Sequence, residues 1–407
     1  MKLDFEAANE LSRQYGDAFY ILDTVRFKNN FSELTKAFRD IYPNMNIAYS
    51  YKTNYIPRLC KTVDELGGYA EVVSDMEYEL ALRVGVSPKK IIFNGPYKNP
   101  AAVEKLLLSG GTVNLDNTED VKIISEITKK HPAAKLSLGI RCNFNIGDGV
   151  VSRFGFDING DDFAETVKYI GANKNLVLTG IHCHFASRAL DYWPNRAETA
   201  ISLYDRLNGG TIEHIDLGGG IYGKMSDSLK AQFSGIIPEF IDYAKAVATL
   251  FAERFPEGGS RPYLFVEPGT ALAGDAMRFA ARVTSIKSVS GKYIATLLGS
   301  MYNINPTLNK KNPPLEILHG GNKSEEYKDL DFAGFTCIES DYLYRGYNGQ
   351  LAVGDFAVFD NVGSYSVVLK PPFILPNFAV LDLDASEENR VVKRRENFDD
   401  IFHTYIF

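Results

Sequence analysis

A chain of 407 residues, 45% hydrophobic and 23% charged, has the composition of a globular protein with one large core and room for a smaller second domain. Its net charge of −7, with both signs interspersed and no block of Lys or Arg, excludes the footprint of a nucleic-acid binder. No apolar window reaches the length of a membrane span, and Met1-Lys2-Leu3-Asp4-Phe5-Glu6 lacks a targeting pattern, so a soluble, cytoplasmic protein with no membrane or nucleic-acid partner is expected.

Cys60, Cys142, Cys183 and Cys337 are widely spaced without a CxxC pair, which gives neither a disulfide framework nor a zinc site, and no metal is expected. After a polar start, Ala18-Phe19-Tyr20-Ile21-Leu22-Asp23 reads as a strand, and Phe31, Leu34, Ala37 and Phe38 follow at helical spacing. Strands are then predicted at Asn46 to Tyr49, Tyr69 to Val73, Ile91 to Phe93, Thr112 to Leu115, Leu136 to Ile140, Leu178 to Cys183, His214 to Leu217 and Tyr263 to Val266. Between them lie helical patterns such as Met76 to Val84, Ala101 to Leu108, Ala197 to Leu207 and Phe233 to Phe255. Short apolar strands alternating with helices predict an α/β fold, a (β/α)8 TIM barrel over 24–274.

Beyond Gly274 the rhythm changes. Phe279 to Val283, Tyr293 to Leu298, Phe356 to Phe359 and Tyr365 to Leu369 are strand-like and separated by turn residues, which predicts a C-terminal β-rich domain over 275–407. Residues 1–23, including the Ala18 strand, are expected to join it.

Catalytic groups of such a barrel sit at the C-terminal ends of its strands. There the chain carries Lys52, Glu71, Asn94, Asp116, Arg141, His184, the triplet Gly218-Gly219-Gly220, and Glu267. Each has a bland explanation as a cap, a turn or a satisfied core residue, yet together they ring one mouth. The triplet matches neither a Walker loop nor GxGxxG, but it follows strand seven, the usual phosphate position of this architecture. A lysine, a phosphate cradle, a carboxylate and an imidazole meet the needs of pyridoxal 5'-phosphate. Lys52 forms a Schiff base, Glu267 keeps the pyridine nitrogen protonated, and His184 stacks on one ring face.

These residues resemble the fold-type III pyridoxal-phosphate decarboxylases, the group of diaminopimelate, ornithine and carboxynorspermidine decarboxylases, over about Ala18 to Phe378. Tyr49-Ser50-Tyr51-Lys52-Thr53-Asn54 is similar to the cofactor-lysine segment. His182-Cys183-His184-Phe185-Ala186-Ser187 resembles the histidine motif, in which Ser187 is implied to bind phosphate. Gly218-Gly219-Gly220 resembles the phosphate loop, Glu267-Pro268-Gly269 the pyridine-nitrogen motif, Val151-Ser152-Arg153-Phe154-Gly155 a segment of the loop after strand five, and Gly363-Ser364-Tyr365 the motif whose tyrosine meets the phosphate. The resemblance implies a decarboxylase acting on the α-carboxylate of an amino acid, with Glu71, Arg141 and Gly269 in the cofactor set. It also implies a head-to-tail homodimer with shared active sites, in which Gly334-Phe335-Thr336-Cys337 reaches the partner's site and Cys337 directs protonation.

Three departures mark the substrate end. Thr270 stands where arginine usually follows Glu-Pro-Gly, Ile338 where an acid usually follows the cysteine, and Ala186 where glycine is usual. Glu339 and Asp341 are candidate substitutes for that acid, with loop charges as the alternative reading. Diaminopimelate, carboxynorspermidine and related diamine or siderophore precursors are the candidate substrates. An amino-acid racemase on the same fold is the alternative enzyme, although racemases pair the pyridine nitrogen with arginine rather than an acid. A catalytically silent regulatory relative is the alternative outside enzymology.

Overall fold

Strand length and capping residues account for the barrel. The structure, a computed structural model, describes residues 3–207, 209–259, 261–321 and 323–407. Eight strands, Met45–Ser50, Tyr69–Val72, Ile91–Phe93, Thr112–Leu115, Leu136–Asn143, Leu176–His182, His214–Asp216 and Tyr263–Val266, pair in parallel in chain order. The eighth pairs with the first, Leu264 opposite Met45, and closes the barrel without an open edge. Helices begin where the sequence provides caps. Ser74 Oγ accepts from the Glu77 N–H at 3.2 Å, and Asn117 Oδ1 accepts from Glu119 and Asp120 at 3.0 and 3.2 Å. Such caps satisfy donors that a helix leaves orphaned, and so fix where each strand-to-helix loop ends.

Inside the barrel, side-chain size is matched across neighbouring strands. A Cβ at Gly180 on the sixth strand would lie 2.2 Å from His214 Nε2 on the seventh, so the missing side chain is what admits the imidazole. His214 is buried and its ring meets Phe265 edge-on at 5.6 Å.

The chain divides into two units: Lys28–Tyr222 with Ile237–Ala271, which contains the barrel, and residues 3–27 with Gly223–Ile236 and Leu272–Phe407. The second unit is a mixed sheet built on the long strand Met277–Val289, which pairs antiparallel with Ala18–Leu22, Lys292–Leu297 and Phe356–Phe359. Ala18–Leu22 is buried along its whole length and pairs on its other side with Ala379–Asp382. Its core gathers Leu11, Phe19, Ile21, Phe356, Val358 and Leu381.

Four local expectations change. Tyr365 to Leu369 is a turn rather than a strand, because Tyr365 adopts φ 64° and Gly363 sits so close to the chain that a Cβ would lie 1.8 Å from Ala273 O. The helix expected from Phe233 begins at Phe240, since Pro238 steers the residue before it to extended backbone and Glu239 with Asp242 forms a capping box. Phe5–Tyr15, read as a polar start, is a helix capped by Asp4 that buries Ala8, Leu11 and Ser12 at helical spacing. Strands Leu315–Leu318, Glu325–Ala333, Tyr342–Leu351, Ala379–Asp382 and Val391–Lys393 add to the sheet. No helix among the described residues is long and apolar enough to cross a membrane.

His214 sets an acid limit. Burial first, and then the neighbouring His182, lowers its pKa from 6.5 to about 4. The unfolded chain therefore binds this proton below pH 6.5 while the folded chain does not, and stability falls as pH drops from 6.5 towards 4. Chemical-denaturation curves of His214→Phe should lose on the order of 2–3 kcal/mol less over that window than the wild type. An unchanged acid slope would refute the assignment.

Candidate active site

The lysine is presented by a change of backbone. The first strand ends at Ser50, and Tyr51–Thr53 forms one turn of 3-10 helix that swings Lys52 out of the strand. Its side chain keeps 34% of its surface accessible, whereas that of Glu71 keeps 1%, so the amine is reachable and its counter-ion is not. Lys52 Nζ pairs with Glu71 Oε2, which also accepts from Ser50 Oγ at 2.7 Å. Enclosure of the stem pulls the lysine pKa down, but the charges of Glu71 and Glu267 outweigh it and raise it above the usual value.

One amide links this end to the other. Asn94 Nδ2 donates to Glu71 Oε1 at 3.1 Å and to Glu267 Oε1 at 2.5 Å, while its Oδ1 accepts from Asn114 Nδ2 at 2.7 Å. Strands one, two, three, four and eight are thereby tied into one network.

At the far end Glu267 lies beside His182, whose Nε2 is 3.3 Å away, and beside Asp216; all three are buried within 4.8 Å of one another. Burial alone would raise Glu267, yet His182, Lys52 and His184 hold it below the usual carboxylate range. Asp216 goes the other way, pushed well up by burial and then by the charge of Glu267. Of two adjacent buried carboxyl groups, Glu267 is the anion and Asp216 keeps the proton.

The glycine loop packs between them. Gly218 has φ 68°, and a Cβ there would lie 2.5 Å from Cys183 O; at Gly219 it would lie 2.8 Å from Glu267 O and 3.2 Å from His184 Nε2. Only glycine leaves that space open. Burial above all lowers the pKa of His184 to about 3, so its imidazole is neutral and suited to lie flat on a ring.

Behind the loop stands Arg196, 0% exposed. Its Nη1 donates to Leu217 O at 3.2 Å and Gly219 O at 2.9 Å, and its Nη2 to Ser187 O at 3.2 Å. Burial lowers its pKa to about 10, so it stays charged, and these three acceptors are neutral carbonyls. With those carbonyls turned toward it, the guanidinium adds positive charge at the loop where an anion would bind.

Arg141 is held by a buried chain: its Nη1 meets Asp116 Oδ1 at 3.3 Å, the Asp116 N–H donates to Asp120 at 2.8 Å, and Lys98 Nζ donates to Asp120 at 2.7 Å. The barrel unit thus joins Lys52 and Glu71 through Asn94 to Glu267, and packs Glu267 and His184 against the glycine loop, with Ser187 attached through Arg196 and Arg141 on the neighbouring strand end. A Cβ at Gly269 would lie 1.9 Å from Thr53 Oγ1, which places the Glu-Pro-Gly turn beside the lysine turn. Thr270 follows, its hydroxyl 3.4 Å from Arg188 Nη2.

Cys337, Glu339, Asp341 and Tyr365 belong to the other unit. Cys337 and Glu339 are exposed. Asp341 is buried, and its carboxylate accepts from Ser300 Oγ at 2.9 Å, the Met301 N–H at 2.7 Å and Thr336 Oγ1 at 2.5 Å. The expected substrate contact gives way there to a loop anchor, since loop donors already occupy both oxygens.

An accessible amine, an anionic carboxylate opposite it, and a cradle that a Cβ would fill define a site for a phosphorylated aldehyde whose ring nitrogen carries a proton. Both ring nitrogens of His182 and Asp216 Oδ2 lack an aligned hydrogen-bond partner beside Glu267, as polar atoms facing a bound ring would. The residues fit pyridoxal phosphate. The chain belongs to the pyridoxal-dependent decarboxylases, whose pyridoxal-binding domain matches residues 28–274. It is 25% identical to the diaminopimelate decarboxylase of Aquifex aeolicus, across 96% of this chain and 92% of that protein. Identity to the enzyme of that name from Methanothermobacter thermautotrophicus is 26%, across 97% and 92%. The crystal structure of diaminopimelate decarboxylase from M. jannaschii superposes with a TM-score of 0.85 at 21% identity, covering 98% of this chain and 94% of that one. The Helicobacter pylori enzyme complexed with L-lysine gives 0.81 at 22%, covering 97% and 98%. The two superpositions support the fold.

Arg196 and Asp216 were absent from the sequence-derived site. Arg196 had a readable trace: it falls on the stripe of Trp193, Ala197, Ala200 and Leu203, the buried face of helix Trp193–Arg206, where a charge is out of place. Arg196→Met should weaken pyridoxal-phosphate binding at least tenfold in an absorbance titration of the apo chain, and Arg196→Lys less. Affinity within twofold of wild type in a folded Arg196→Met protein would show that its charge plays no part.

Proposed function

We propose that this chain decarboxylates an amino acid of the diaminopimelate type at its α-carbon, with Lys52 as the residue that carries the cofactor. The network Lys52–Glu71–Asn94–Glu267 carries this reading, because it sets an amine and an anionic carboxylate at opposite ends of one hydrogen-bonded span. When bound, pyridoxal phosphate supplies a ring that accepts the negative charge left on the α-carbon as CO2 departs. Glu267, held anionic by its neighbours, keeps the proton on the ring nitrogen, which supports decarboxylation over racemisation. Neutral His184 covers one ring face and excludes water from it. Glycines 218 to 220, Gly269 and Ser187 receive the phosphate side, and Arg141 completes the polar wall. Glu71 steadies the Lys52 ammonium when the substrate amine has taken its place.

The activity of the diaminopimelate decarboxylases to which the chain is similar supports the substrate class, and Glu339 is the exposed acid left to meet a distal group. In this reading the chain acts as a head-to-tail homodimer. Asp341 anchors the loop that carries exposed Cys337 toward the partner's site, where the thiol returns the proton. Four free thiols support a reducing, cytoplasmic setting.

Purified Lys52→Ala should lose the visible absorbance of covalently held cofactor and more than a thousandfold of CO2 release from meso-diaminopimelate; retention of a covalent adduct would remove Lys52 from its role. Shared sites make a second forecast. Mixing Lys52→Ala with Cys337→Ala, each strongly impaired, should restore up to about a quarter of wild-type activity, because half of the re-formed dimers hold one intact site. No recovery despite exchange of subunits would exclude sharing.

A further inference from the structure

The barrel unit holds a guanidinium, that of Arg188, whose purpose the fold does not explain. Arg188 follows Ser187 in the loop after the sixth strand, and its Nη2 reaches Thr270 Oγ1 at 3.4 Å, a long contact. Its head also lies 5.6 Å from the centre of the Tyr222 ring. Among the described residues no carboxylate pairs with it, so most of its donors are uncommitted.

Its backbone, by contrast, is fixed on both sides. Tyr243 Oη donates to Arg188 O at 2.7 Å, and Arg196 holds Ser187 O at 3.2 Å while also holding Gly219 O at 2.9 Å. The arginine and the glycine loop therefore hang on the same buried guanidinium. A rigid backbone beneath a charged, unpaired head is what a preorganised anion contact requires, since little freedom is lost on binding.

Position 270 gives the second half of the argument. It lies three residues beyond Glu267, and threonine there is too short to carry charge into the mouth. The Arg188 head fills the adjoining space from another strand end. Resting on the reading of Lys52 as the cofactor-bearing residue, we propose that Arg188 is the anion-binding guanidinium of this site, standing in for an arginine that position 270 lacks. Its ligand is an oxyanion of the loaded site, either the cofactor phosphate or the second carboxylate of a diacid substrate. Guanidinium geometry suits both, because paired N–H groups match two oxygens of either group.

The test uses the full-length chain, its Arg188→Met and Arg188→Lys variants, and Arg188→Met combined with Thr270→Arg. Two probe pairs differ by one anion: pyridoxal phosphate against pyridoxal for the apo protein, and meso-diaminopimelate against L-lysine for the holoenzyme, read by the absorbance of bound cofactor. Arg188→Met should lose about tenfold or more of the preference for the anionic member of one pair and leave the other pair unchanged. Loss in the first pair assigns the phosphate, and loss in the second the carboxylate. Arg188→Lys should retain part of the preference, and Thr270→Arg should return part of it to Arg188→Met. Preferences within twofold of wild type in both pairs overturn the proposal, as does equal weakening of both members of each pair, which marks a packing role. A wild-type chain that gains no visible band with pyridoxal phosphate instead overturns the Lys52 reading on which the proposal rests. An intact band with an indifferent Arg188→Met overturns the proposal alone.

Discussion

Two carboxylates buried within one barrel mouth repel each other unless something intervenes, and the site is arranged around that constraint. Glu71 is balanced by Lys52, and Glu267 lies 3.3 Å from His182 Nε2; Asn94 stands between the two carboxylates and donates to both. A neutral amide is well suited to that position. It can donate to two anions at once and carries no charge of its own to upset either pairing. Asp216 completes the arrangement by keeping its proton, so the far end of the mouth presents one negative charge rather than two. The polarity of the site, amine at one end and anion at the other, follows from these pairings.

The barrel serves this arrangement by supplying rigid strand ends. Parallel strands bonded on both sides leave their final residues little freedom, and the caps at Ser74 and Asn117 stop the loops from lengthening. Where the chemistry requires close approach, the chain uses glycine. Where it requires positive charge without a competing carboxylate, it uses arginines bonded to carbonyl oxygens, as Arg196 shows. Burying such a charge is costly unless an anion arrives, which ties the local stability of the loop to occupancy of the site.

The barrel was legible in the sequence because every strand is a short apolar run followed by a helical pattern, and because polar residues at strand ends stand out against such runs. The β-rich unit was less so. Glu325–Ala333 exposes many of its residues and carries charges accordingly, and Tyr342–Leu351 is interrupted by Arg345, two glycines, Asn348 and Gln350, so no apolar run marks them. Tyr365 to Leu369 shows the opposite error, an apolar stretch whose backbone turns away from any partner strand. Among site residues, Lys52, His184 and Glu267 announce themselves by their motifs. Arg196 hides because arginine in a helix ordinarily faces water, and Asp341 misleads because an acid near a cysteine reads as substrate-facing until its four donors are seen.

The strand Ala18–Leu22 carries a consequence for biosynthesis. Its two neighbours, Met277–Val289 and Ala379–Asp382, are made hundreds of residues later. As the chain leaves the ribosome, five apolar residues with strong β preference must therefore wait without an edge to join until Met277–Val289 has been translated. During that interval Ala-Phe-Tyr-Ile-Leu is the segment most exposed to pairing with another nascent copy, and chaperone capture is most useful there.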